Sequence, residues 1–109
     1  MKQNTPPAPA KRALTATQVI AQLTQLDNWK LFGDGPDVAI EKTFHFGGYL
    51  ETMAFVNAVA FIAHSQHHHP ELLVHYNRCS VRWCTHDVQG ISMADFVCAA
   101  KVDALLIQD

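Results

Sequence analysis

The chain has 109 residues, a formal net charge of -2, 49% apolar residues and 17% charged residues. That length holds one domain with a single core, and the composition belongs to a folding chain rather than a disordered one. The slightly acidic balance gives no reason to expect nucleic acid as a main partner, and no run reaches the ~18 apolar residues that cross a bilayer.

In chain order, residues 1–12 lack the apolar region of a secretory signal, and Pro6-Pro7-Ala8-Pro9 disfavours helix. A mobile tail is expected there, with the folded domain over residues 13–109. Thr15 can then cap a helix, with Gln18 at the reciprocal capping-box position and Leu14 able to staple onto Val19. Val19, Ile20, Leu23 and Leu26 form one apolar stripe, predicting a helix of about three turns that Asp27-Asn28 ends. Trp29 to Phe32 reads as a short strand and Gly33-Asp34-Gly35-Pro36 as a turn. Val38, Ile40, Phe44 and Phe46 alternate with outward positions as in a half-buried strand, with Lys42 interrupting the apolar face.

Gly47-Gly48 stops that strand, and a second helix is expected from about Tyr49 to Gln66. It carries two apolar stripes, one of Tyr49, Met53, Val56 and Ala60, the other of Phe55, Val59 and Ile62. So small a chain has little left to cover the second stripe. A homo-oligomer with this helix at the subunit interface is therefore expected, burial within one subunit being the alternative. Leu72 to His75 and Cys79 to Thr85 read as strands joined by Tyr76-Asn77-Arg78, and His86 to Gly90 as a loop. Ser92 caps a third helix with Asp95 in its first turn; Met93, Phe96, Val97, Ala100, Ala104 and Ile107 are its expected buried stripe. Short links between paired strands favour hairpins. The fold expected is α+β, a single four-stranded antiparallel sheet with three helices packed on one face. Cys79, Cys84 and Cys98 cannot all pair and lack C-x-x-C spacing, so reduced thiols in a cytoplasmic protein are expected, with Cys79 and Cys84 on opposite faces of their strand.

Seven histidines are the compositional anomaly, and His64, His67, His68 and His69 cluster at the end of the second helix. Pro70 ends that helix and pushes His69 toward an extended conformation, fixing His68 and His69 at a helix-to-strand junction. His86 stands at the mouth of a loop. Imidazole gives or accepts a proton near neutral pH, so two converging histidines form an acid–base pair, and Asp95 could orient one of them. The plainer readings are a surface histidine paired with the helix dipole, which suits His67 best, and Asp95 as a simple helix-start residue. Metal binding is the rival chemistry, with His64 and His68 four apart and His69 or His86 as third ligand. No H-E-x-x-H and no cysteine pair or carboxylate at ligand spacing accompanies them, so no metal is expected.

Taken together, His64-x-x-x-His68-His69-Pro70, Tyr76, His86 and Asp95 resemble the signature of the pterin-4a-carbinolamine dehydratase family. The strings His68-His69-Pro70-Glu71, Tyr76-Asn77-Arg78, Thr85-His86-Asp87 and Gly90-Ile91-Ser92 stand in the family's order, and Trp29 and Phe44-His45-Phe46 match upstream, so the resemblance covers nearly all of the chain after the tail. It implies the same α+β fold, assembled as dimers or tetramers. It also implies dehydration of 4a-hydroxytetrahydrobiopterin to quinonoid dihydrobiopterin, recycling tetrahydrobiopterin for aromatic amino acid hydroxylases without metal or organic cofactor. Carried over by position, His68 and His86 are the acid–base residues, His69 and Asp95 serve substrate binding, and His64 and Pro70 support the site. His64 departs from the family's frequent glutamate and His67 from an aspartate of some relatives, which puts the tuning of basicity in question rather than the reaction class. Relatives with this fold also act as partners of transcription factors or as assembly factors. A binding module for a hydroxylase or a regulatory protein is thus the second reading, and the joint presence of His68, His69 and His86 favours the enzyme.

Overall fold

The capping box at Thr15 is made: Thr15 N–H donates to Gln18 Oε1 at 2.9 Å and Gln18 N–H to Thr15 Oγ1 at 3.2 Å. It opens α1, Ala16–Leu23, in a computed structural model that describes residues 12–106. The tail expected over residues 1–12 lies outside the described residues apart from Arg12, as does Ile107. α1 is shorter than the expected three turns. Gln25 and Leu26 donate to the carbonyls three residues back, tightening the chain, and Asn28 at φ 67° turns it away. Val19 is buried and Leu23 and Leu26 pack on the core, but Ile20 is 59% exposed and leaves the expected stripe.

The strands β1 (Lys30–Phe32), β2 (Ala39–His45), β3 (Glu71–His75) and β4 (Arg78–Trp83) form one antiparallel sheet in the order β1-β2-β4-β3. Both hairpins form as expected, and β2 pairs with β4 in the centre, setting Ile40 opposite Trp83 and Phe44 opposite Cys79. Side chains opposite one another share a face, so these residues and Val81 make the floor of the core, each 6% exposed or less. Lys42, which interrupted the pattern, belongs to the same face. Its ammonium donates to Asp103 Oδ1 at 2.8 Å, and Trp29 Nε1 donates to Asp103 Oδ2 at 2.9 Å. One carboxylate thereby joins the end of the last helix to the sheet and to the entry of β1.

α2, Tyr49–Gln66, has the expected span. Thr52, Phe55, Val59 and Ala63 are its buried line, with Val56 and Ile62 packed beside it. The other side is bare: Leu50 is 84% exposed and Phe61 77%. His67 ends α2 in the left-handed conformation at φ 50°, and His68 N–H returns to Ala63 O at 3.1 Å, a left-handed helix cap. α3, Met93–Ala104, buries Asp95, Phe96, Cys98, Ala99 and Val102. The expected stripe is thus corrected by a rotation of the helix. Met93 and Val97 are over 40% exposed, because the inward line runs through Asp95, whose polar side chain hid it from an apolar count.

Candidate active site

The left-handed cap at His67 delivers His68 to the edge of the core rather than to solvent. The His68 ring stacks on Trp83 at 5.5 Å between centroids and 9° between planes, and the residue is 7% exposed. Its Nε2 meets Asp95 Oδ1 at 2.5 Å. Asp95 comes from the first turn of α3 and is 0% exposed. Its Oδ2 accepts from Thr85 Oγ1 at 2.8 Å and from the backbone N–H of Ser92, the N-cap of α3, at 2.9 Å. A 2.7 Å contact joins the Thr85 and Ser92 hydroxyls. Burying a carboxylate without such partners would cost several kcal/mol, so these bonds are a condition of its being there. Trp83 Nε1 has no hydrogen-bond partner among the described residues, so packing rather than polar contact holds that ring.

His86 opens a single 3-10 turn, His86–Val88, which Gln89 closes at φ 51°. Its Nε2 lies 3.8 Å from Cys84 Sγ. His68, His69 and His86 line one recess of about 180 Å³ together with His67, Cys84, Thr85 and Asp87. A wider cleft of about 620 Å³ shares His69, Cys84 and His86 with it and continues past Pro70, Glu71, Phe32, Ala39 and Asp37. Its wall is stiffened by Arg82, which donates to both Glu41 and Glu71 and lies 3.8 Å over the Phe32 ring. Those two carboxylates raise the Arg82 pKa above its already high ordinary value. The Cys84 thiol is pushed up as well, first by burial and then by the negative charges of Asp95, Glu71 and Asp37.

The structure therefore brings His68, His69 and His86 to one recess, with Asp95 behind His68 and Pro70 on the cleft wall. His64 does not line either space; its ring sits 6.5 Å from that of His67 on the last turn of α2. Trp83, Cys84, Thr85 and Arg82 were not read as site residues in the sequence. Their signals were nearness in sequence to His86 and, for Thr85, its place in the string Thr85-His86-Asp87. Among the described residues no group of three or more His, Cys, Asp and Glu side chains is arranged to hold a metal ion. A separate groove of about 340 Å³ beside α1 is lined mostly by apolar side chains such as Leu14, Ile20 and Leu31, and presents no acid–base group.

Known proteins resemble this chain over most of its length. The profile of the family described as pterin 4 alpha carbinolamine dehydratase matches residues 12–105. A Paracidovorax citrulli protein provisionally named pterin-4-alpha-carbinolamine dehydratase is 60% identical over 99 residues, 91% of this chain and 85% of that one. A Bdellovibrio bacteriovorus protein of the same provisional name is 52% identical over 101 residues, 89% of this chain and 81% of its own. Among solved structures, a transcriptional coactivator/pterin dehydratase from Brucella melitensis superposes with a TM-score of 0.79 at 30% identity, covering 85% of this chain and 97% of that chain. A pterin dehydratase-like protein described as a RuBisCO assembly factor in the alpha-carboxysome gives 0.62 at 26% identity, covering 75% and 93%. The chain belongs to the pterin-4a-carbinolamine dehydratase family.

Proposed function

We propose that this chain dehydrates a 4a-hydroxytetrahydropterin to the quinonoid dihydropterin by histidine acid–base catalysis, in the recycling of tetrahydrobiopterin. The observation that carries the reading is the recess lined by His68, His69 and His86, with a buried carboxylate on Nε2 of His68. In the reaction one proton goes to the 4a-hydroxyl, the C4a–O bond breaks with its electron pair and water leaves. The N5–H proton is removed, and that bond's electron pair forms the C4a=N5 double bond. Two imidazoles, one giving and one taking a proton, balance the step. His68 and His86 are the pair on this reading. The contact of Nε2 with Asp95 Oδ1 holds the His68 ring at the recess. His69 and the shared cleft hold the pterin. The test is the dehydration rate with and without both imidazoles.

The bare face of α2, with Leu50, Phe61 and Tyr49 exposed, supports a homo-oligomer, dimer or tetramer, since large apolar side chains exposed together on one helix favour a partner. The same face supports the second reading, a docking surface for a hydroxylase or regulatory protein, in line with the coactivator and assembly-factor titles of the structural relatives. Among the described residues no helix is long and apolar enough to cross a membrane.

A further inference from the structure

We infer that Thr85 is a positioning residue that sets the two histidine arms of the site against each other, its side chain acting through Asp95 on His68 and its backbone on the turn that carries His86. The inference rests on the reading of His68 and His86 as the working pair.

Thr85 is 2% exposed and stands between β4 and the His86 turn. Its hydroxyl has one proton and two partners, Asp95 Oδ2 at 2.8 Å and Ser92 Oγ at 2.7 Å. A carboxylate only accepts, so the threonine proton goes to Asp95 and the serine proton closes the other contact. The chain of bonds then runs one way, from Ser92 to Thr85 to Asp95. With the Ser92 N–H also on Oδ2, the carboxylate plane is fixed and Oδ1 is turned to His68 Nε2. That makes Nε2 the protonated nitrogen, so the hydroxyl of Thr85 helps choose the His68 tautomer.

The backbone of Thr85 does a separate job. Its N–H donates to Gly90 O at 2.8 Å, and its carbonyl accepts from Val88 N–H at 3.1 Å and Gly90 N–H at 3.4 Å. These bonds close the loop that begins with His86. Thr85→Val keeps the shape and these backbone bonds but removes the hydroxyl, cutting the arm to His68 and sparing the arm to His86.

The experiment is a pair of double-mutant cycles on dehydration kinetics, combining Thr85→Val with His68→Ala and with His86→Ala. The expected result is a fall in kcat of about tenfold for Thr85→Val with KM nearly unchanged, a size set by the usual cost of removing a group that orients a working imidazole. Thr85→Ser should restore it. The cost should vanish in the His68→Ala background and persist in the His86→Ala background. Equal cost in both backgrounds, or a Thr85→Ser variant as impaired as Thr85→Val, overturns the inference. A second measurement does not depend on turnover or on the variant folding: nitrogen-detected imidazole NMR of the unaltered protein should show His68 protonated at Nε2, and the Thr85 hydroxyl proton should exchange slowly. A fast-exchanging hydroxyl overturns the inference even if the enzyme is active. Absence of dehydratase activity with both NMR signatures present would defeat the proposed function and leave the positioning chain standing.

Discussion

Replacing Asp95 with asparagine keeps the shape of the side chain and removes its negative charge, and with it the ability of both of its terminal atoms to accept. At Oδ2 two donors converge, the Thr85 hydroxyl and the Ser92 N–H. A backbone N–H cannot turn round, so the amide oxygen must take that position and the amide NH2 must face His68. Nε2 of His68 then becomes an acceptor and its proton moves to Nδ1, the opposite tautomer. The energetic cost is the loss of charge-assisted bonds in a site that is 0% exposed, about 1–3 kcal/mol, which lowers Tm by at least about 4 °C in a domain of this size. The kinetic cost is the contribution of one acid–base imidazole, roughly 10²–10⁴ in kcat. Stopped-flow absorbance of 4a-hydroxytetrahydropterin dehydration reads the rate, thermal melting reads the stability, and imidazole NMR reads the tautomer. An Asp95→Asn protein with undiminished kcat, or with His68 still protonated at Nε2, would refute the reasoning.

Other consequences can be measured separately. Burial, helped by the charges of Asp95, Glu71 and Asp37, keeps the Cys84 thiol protonated above the pH at which an ordinary cysteine ionises; iodoacetamide labelling of Cys84 should stay slow at pH 8 and climb only in more alkaline buffer, and fast labelling at pH 8 would count against that environment. His67 holds a left-handed φ of 50° that glycine adopts without strain; His67→Gly is expected to raise stability by about 0.5–1 kcal/mol in urea melts, and a loss of stability would count against strain at this cap. Leu50 and Phe61 dominate the bare face of α2; on the proposal that this face joins two subunits, Leu50→Glu with Phe61→Glu should sediment as a monomer where the unaltered protein sediments as a larger species, whereas equal sedimentation coefficients would remove this face as the interface.

Much of the fold was legible because period and punctuation agree: the Thr15 capping box, the alternation of β2 and the Gly-to-Pro bounds of α2 each carry a local signal. What failed did so for a physical reason. The inward line of α3 was misread because its leading member is Asp95, and a pattern of apolar residues cannot register a carboxylate whose burial depends on donors from other segments. Lys42 looked like a flaw in β2 until Asp103, 61 positions away, supplied its partner. The histidines were visible as a cluster, but what sorts them is backbone conformation. His67 turns the chain, His68 is carried inward onto Trp83, and His64 stays on the helix surface. Thr85 was legible only as part of the string Thr85-His86-Asp87, since a threonine at the end of a strand is commonplace and only the fold sets it beside Asp95.

The central claim is that two imidazoles on this recess carry the proton transfers of a pterin dehydration. Its most direct test is the pre-steady-state rate of 4a-hydroxytetrahydropterin dehydration, followed with the unaltered protein, His68→Ala, His86→Ala and the double variant, each checked for folding. The account predicts a rate well above the uncatalysed one for the unaltered protein. Each single variant should lose about 10²-fold or more, and the double variant should approach the uncatalysed rate. A folded double variant that dehydrates the substrate as fast as the unaltered protein would contradict it.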